Sequence, residues 1–275
     1  MIACNFSNQY FAAATEIAMD EAEKSGYALQ LKLMRFSPER EVECVNEMRS
    51  LGADGIILGG APSDCNREYF QWLKHIGYPM LTLGTGNGYG FPALAVDHTE
   101  AMLNAVGHLH SLGHRRIRLC MTRQPESFRN ALSLAFTDAC RQHCIQAEIS
   151  CCQAMHELAA IPAMREDAVI VYGKYSLRIF LDGQAKFPRY KPDLIGFFNE
   201  WTWASSPQKQ LCGVIINPAE QEVRSAVHQI IASLESNLEA RKEQHVSSFY
   251  AAVDFRNIKA IDLTSRYLLI NEKNS

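Results

Sequence analysis

Four stretches of the chain repeat one alternation of apolar and polar positions: residues 23–33, 49–60, 74–84 and 110–120. Each starts at the end of a helical pattern and reaches a glycine, at Gly26, Gly52, Gly77 and Gly113. Each then enters a short apolar or alternating run rich in Ile, Leu or Val. Glycine suits the left-handed residue that closes a helix. Helix, glycine, strand, repeated, is the βαβ signature of a parallel sheet. The intervening segments support this. Phe11, Ala14, Ile17, Ala18 and Ala22 fall near helical spacing, and 39–51 and 66–76 read as amphipathic helices. A further helix over 99–111 carries Ala101, Met102, Ala105, Val106 and Leu109 on its apolar face.

The second half repeats this less cleanly. Residues 125–144 read as a helix, with Pro125 and Glu126 suited to its start. Strands are expected at 167–173, 193–198 and 211–217, with a helix to Phe180 after the first. Pro218 opens another helix, and the last thirty residues read as strands and turns.

Composition narrows the class. A chain of 275 residues is long for one core, so two lobes are expected. Hydrophobic residues at 47% and charged residues at 21% describe a globular protein. The net charge of −3 lacks the basic excess of a domain that grips nucleic acid by itself. Any DNA contact must then come from elsewhere. Nine cysteines, an odd count without framework spacing, predict reduced thiols and a cytoplasmic protein. No apolar run reaches the ~18 residues of a membrane span. The start, MIACNFSNQYF, lacks a basic segment before an apolar core, so no secretory signal is expected. It reads as the tail of a strand entering a loop, which predicts a fragment of a longer protein.

Candidate chemistry is sparse. In HLHSLGHRRIRLC (108–120) the three histidines span a helix, its cap and a strand start, so they do not share a face. This predicts no metal site there. Arg115 and Arg116 point to opposite sides of an emerging strand, with Arg118 joining Arg116. GTGNGYG (84–90) lacks the spacing and following helix of a phosphate loop. CRQHC (140–144), Cys151, Cys152 and His156 lack paired zinc spacing and read as core or surface thiols. There is no nucleophile elbow, metalloprotease motif or P-loop. No catalytic residue, metal or cofactor is expected, and the chain does not read as an enzyme.

The stretch AVDHTEAMLNAVGHLHSLGHRRIRLC (95–120) resembles the signature of the LacI/GalR transcription-regulator family, in its effector-binding domain. Asp97, Leu109, Leu112, Gly113, His114, Arg115 and Ile117 fit that signature. NQYFAAATEIAMDEAEKSGY, GADGIIL, PDLIGFFN and VIINPAEQEVRSAV fit in order. The resemblance implies an α/β fold of the type I periplasmic-binding-protein-like kind, with two lobes, each a parallel sheet flanked by helices. The expected lobes are 1–122 with 217–246, and 123–216 with 247–275. It further implies a small-molecule effector, a sugar or other small metabolite, in the cleft between lobes, and a homodimer. Operator DNA would be met only through an N-terminal helix-turn-helix head, expected to lie outside this chain. A stand-alone carrier and a sensor fused to a winged-helix head remain open.

The same resemblance nominates ligand-binding residues. The loop after the first strand supplies Asn5, Ser7, Tyr10 and Phe11, and Asp97 opens its helix. Phe11 equally fits a first core residue. The family's arginine, which clamps sugar hydroxyls, aligns with Leu132, and Arg129 lies one turn earlier. The family's asparagine–aspartate pair becomes Gly173-Lys174, a second aspartate becomes Phe198, and a late glutamine becomes Asn217. Lost carboxylates remove acceptors for sugar hydroxyls. The expected ligand is therefore flatter, more apolar or anionic, held by Tyr10, Phe128, Phe198, Trp201 and Trp203 with Lys174 or Arg129 as counter-charge. Alternatively the site has lost its ligand. The tryptophans equally fit a surface loop with one buried indole.

Overall fold

The computed structural model describes residues 1–3, 9–35, 37–59, 64–83, 90–122, 126–152, 155–160, 168–186, 192–199, 211–236, 247–250 and 252–254. In chain order the elements begin β1 (Ile2–Ala3), α1 (Gln9–Lys24), β2 (Lys32–Leu33), α2 (Pro38–Ser50), β3 (Ile56–Gly59), α3 (Arg67–His75), β4 (Met80–Leu83) and β5 (Ala93–Asp97). There follow α4 (Thr99–Ser111), β6 (Arg116–Thr122), α5 (Glu126–Gln142), β7 (Gln146–Cys152), α6 (Met155–Ala159), β8 (Ala168–Tyr172), α7 (Lys174–Gln184) and β9 (Asp193–Asn199). The last are β10 (Gly213–Asn217), α8 (Ala219–Glu235), β11 (Ser247–Tyr250) and β12 (Ala252–Asp254).

The repeated glycines do what the pattern predicts. Gly26, Gly52, Gly77 and Gly113 all have positive φ, between 69° and 97°. At Gly52 the paired bonds of a helix-closing turn are present. Its N–H donates to Arg49 O at 3.0 Å, and the Ala53 N–H reaches back to Met48 O at 3.0 Å. Ser37 starts α2 by accepting the Arg40 N–H at 3.2 Å, with Pro38 at the first helical position.

The chain divides into two compact units, Met1–Val96 with Ala219–Phe249, and Asp97–Pro218 with Tyr250–Ser275. The first holds a sheet in the order β11-β5-β4-β3-β1-β2. From β5 to β2 its strands are parallel. One core cluster joins α2 and α3 to the strands through Cys44, Val45, Met48, Ile56, Leu58, Phe70 and Leu73. Elsewhere α8 packs on β3, β4 and α1. Buried Ala14 and Ala18 on α1 and Val223 and Val227 on α8 supply apolar surface. Glu21 on α1 accepts a bond from Arg224 and lies 2.9 Å from His228 Nε2, both on α8.

The second unit carries the order β12-β10-β9-β8-β6-β7. All pairs are parallel except β12 with β10. Helices α4 and α5 pack on each other, and α6 and α7 pack on each other. The cluster beneath α6 and α7 contains Cys120, Cys152, Leu158, Val169, Val171, Leu177, Phe180, Phe198, Val214 and Ile216. Each fully buried side chain of this size contributes about 1.5–3 kcal/mol.

Two features depart from the sequence reading. The first division falls after Val96 rather than near 122, because α4 packs on α5 and β6 is paired on both sides within the second sheet. The strand β7 was not expected. Its N-terminal half is open to solvent, so no apolar run marked it. It is held by register pairing with β6, including an Arg118–Glu148 ion pair at 2.7 Å. The stretch 108–120 is thus a structural junction. His114 Nε2 lies 2.8 Å from Asp193 Oδ2, tying the turn after α4 to the start of β9. Among the described residues no helix is long and apolar enough to cross a membrane.

Candidate functional site

In the second unit β6 is followed by β7 on one side and β8 lies on its other side. The strand order therefore reverses between β6 and β8. In open parallel sheets, ligands bind beyond the carboxyl ends of the strands at such a switch point. Here that point is framed by the start of α5, after β6, and the start of α7, after β8. Gly173, with φ of 90°, turns the chain from β8 into α7, and its N–H donates to Phe197 O at 2.8 Å. Thr122 and Ser176 hydroxyls, 3.3 Å apart, join the end of β6 to the first turn of α7.

Four rings close on one another at this edge. His98 meets Phe128 at 5.7 Å and Phe197 at 5.1 Å between centroids, both edge to face. Phe128 lies 5.0 Å from Tyr172, and Tyr172 lies 5.0 Å from Phe197. Such pairs contribute about 0.5–1.5 kcal/mol each beyond area burial. Register explains the assembly. Tyr172 pairs with Phe197 across β8 and β9, so both project to the same side. Two residues beyond Phe197, on that side, Asn199 pairs with Asn217. Phe197 and His98 are buried, whereas Phe128 and Tyr172 are half-exposed.

Burial keeps the His98 imidazole neutral. His98 is 4% exposed, and burial lowers its pKa from 6.5 to about 4 against the opposing charge of Asp97. Its Nδ1 and the Asn217 Oδ1 are buried without a protein hydrogen-bond partner among the described residues. Each such atom costs about 1–3 kcal/mol unless a solvent or ligand atom meets it. His98 occupies the cap position of α4 without capping it. Asp97 does that work, because its Oδ1 accepts the Thr99 N–H at 2.8 Å.

The expected site residues divide. Phe128 belongs to the ring cluster, and Arg129 is half-buried beside it on α5. Asn217 ends β10 with its orphaned oxygen, and Asp97 is a helix cap. Lys174 begins α7, with Nζ 5.8 Å over the Tyr175 ring. Phe198 requires correction as a lining residue. It is 2% exposed and packs in the cluster beneath α6 and α7, because strand alternation turns it away from Phe197. Leu132 is fully buried. Tyr10 and Phe11 fall in the first turn of α1, while Asn5, Ser7, Trp201 and Trp203 lie outside the described residues. The 84–89 glycine-rich loop also lies outside them. His98, Tyr172 and Phe197 escaped the sequence reading. Only the adjacency of His98 to Asp97, and the apolar run AVIVY ending in Tyr172, marked them.

Among the described residues no group of three histidine, cysteine or acidic side chains is placed to hold a metal ion. His110 and His143 rings lie 5.3 Å apart between centroids, tilted by 36°, and Cys140 is buried with its thiol pushed up to about 12.

No family model matches the chain. A stretch of 115 residues, 42% of the chain, is 24% identical to the uncharacterized HTH-type transcriptional regulator YkvZ of Bacillus subtilis (strain 168). That stretch spans 34% of the relative's length, about a third. Solved structures match far more of the chain. A periplasmic binding protein/LacI transcriptional regulator from Alkaliphilus metalliredigens QYMF, complexed with D-xylulofuranose, is 18% identical with a TM-score of 0.73. The match covers 94% of this chain and 98% of that one. The Cra transcriptional dual regulator from Pseudomonas putida, in complex with fructose 1-phosphate, is 18% identical with a TM-score of 0.74. It covers 93% of this chain and 97% of its own. The chain therefore has the periplasmic-binding-protein-like α/β fold found in LacI-type regulators.

Proposed function

We propose that this chain is the effector-sensing and dimerisation part of a cytoplasmic LacI/GalR-type transcription regulator. The observation that carries the reading is the ring cluster at the carboxyl ends of β8 and β9, with the orphaned Nδ1 of His98 within it. The signature at 95–120 and the fold of sugar-bound regulators support it. The role is binding rather than catalysis. A ligand that prefers one conformation shifts the population toward it by its difference in affinity. In a homodimer that shift alters the spacing of two DNA-reading heads, and so their grip on operator DNA.

A thermal-shift screen against sugars, sugar phosphates and nucleobases tests this. Ligand at ~100 times its dissociation constant stabilises by about 2.7 kcal/mol, enough to raise the melting point by several degrees. Sedimentation equilibrium at micromolar concentration is expected to show a dimer. Silence across the screen together with a clean monomer would sink the reading.

A further inference from the structure

We propose that His110 and His143 form an accessory site for a divalent transition-metal ion of the zinc or nickel class, clamping the end of α4 to the end of α5. Each histidine lies in a stretch whose own spacing argues against a metal site, 108–120 and 140–144. Helix packing joins the two stretches. α4 and α5 lie against each other, His110 stands in the last turn of α4, and His143 directly follows α5. Both side chains are half-buried. Their ring centroids are 5.3 Å apart, with the planes tilted by 36°.

That separation suits a shared ion. A bond from zinc to an imidazole nitrogen is about 2.0–2.1 Å, which puts two rings on one tetrahedral ion with their centres about 5 Å apart. Ring pairs without an ion also reach such distances. The surroundings favour the ion. His114 and His228 face Asp193 and Glu21 at 2.8 and 2.9 Å, whereas among the described residues this pair faces no carboxylate that would occupy its nitrogens. The close approach also depends on a glycine. Gly107 lies one turn before His110, and a Cβ there would come within 3.2 Å of His143 Nε2. Without that Cβ the His143 ring lies down on α4 beside His110.

The donor set selects the ion. Imidazole suits zinc, nickel and copper, whereas magnesium and calcium take oxygen ligands. Cys140 is buried with its thiol pushed up to about 12, so it stays protonated and supplies no thiolate. Two protein ligands leave the remaining positions to water, and the site fills only where the ion is plentiful. It lies at the amino ends of β6 and β7, which α4 and α5 lead into, at the opposite edge of the sheet from the ring cluster.

Isothermal titration of the chain with nickel chloride tests the site. A saturable heat is expected, unchanged in Cys144→Ser, which alters the exposed thiol next to His143. In His110→Gln and in His143→Gln the affinity should fall by at least the roughly tenfold that loss of an outer-shell partner costs a metal site. In the unaltered chain, paramagnetic Ni(II) should broaden the His110 and His143 ring signals in proton NMR before those of the other histidines. No saturable binding, or equal binding in both folded histidine variants, would overturn the inference. Weakening by Cys144→Ser as large as by the histidine variants would place the ion on the thiol and overturn the two-imidazole assignment. If a histidine variant fails to fold, the NMR signals of the unaltered chain decide, and rings left sharp at saturating Ni(II) would sink the proposal.

Discussion

His98 makes the second unit sensitive to mild acid in a direction that can be worked out. Burial among Phe128, Phe197 and the start of α4 lowers its pKa from 6.5 to about 4. In the unfolded chain the imidazole takes up a proton near its ordinary value. Between about pH 6.5 and pH 4 the unfolded state therefore binds more protons at this position, and stability falls as pH falls. Each pH unit across that window costs about 1.4 kcal/mol, so the whole gap is worth about 3 kcal/mol. Above pH 7 this residue contributes no pH dependence, because both states hold it neutral. The comparison is wild type against His98→Leu, which keeps similar volume but cannot titrate. Urea unfolding followed by circular dichroism from about pH 7 to pH 4.5 measures both. The wild type should lose about 2–3 kcal/mol more than the variant over that range. Groups common to the two proteins, including the Glu21 carboxylate, cancel in the difference. Parallel curves would refute the reasoning and mean that the ring is hydrated or partnered when charged.

Two further outcomes follow from packing. Leu132→Arg places an arginine at a fully buried position, and should destabilise by about 3–5 kcal/mol through an unpaired buried charge; chemical denaturation reads this, and unchanged stability would show that the position reaches solvent. Gly183→Ala should also destabilise, although alanine normally favours a helix. Its Cβ would sit 2.4 Å from Ala159 O on the neighbouring α6, an overpacking cost of about 1–3 kcal/mol. A raised melting point would show that α6 yields.

The sequence by itself determined the alternation of helices and strands, the helix-closing glycines and the resemblance at 95–120. These are local signals. A positive φ at Gly52 or Gly113, or an apolar stripe such as Ala101–Met102–Ala105–Val106–Leu109, is dictated by neighbours within a turn or two. Three matters were decided only in the tertiary structure. Strand β7 exists because β6 offers it a parallel edge, not because its own residues are apolar. The helix at 99–111 joins the second unit because α5 covers it. At the site, one step of strand alternation puts Phe197 into the ring cluster and sends Phe198 into the opposite core. His98, Phe128 and Tyr172 stand far apart in the chain and meet through register and helix packing. Local periodicity cannot encode which distant strand end lies beside which helix start, so the site became visible only once the sheet order was known.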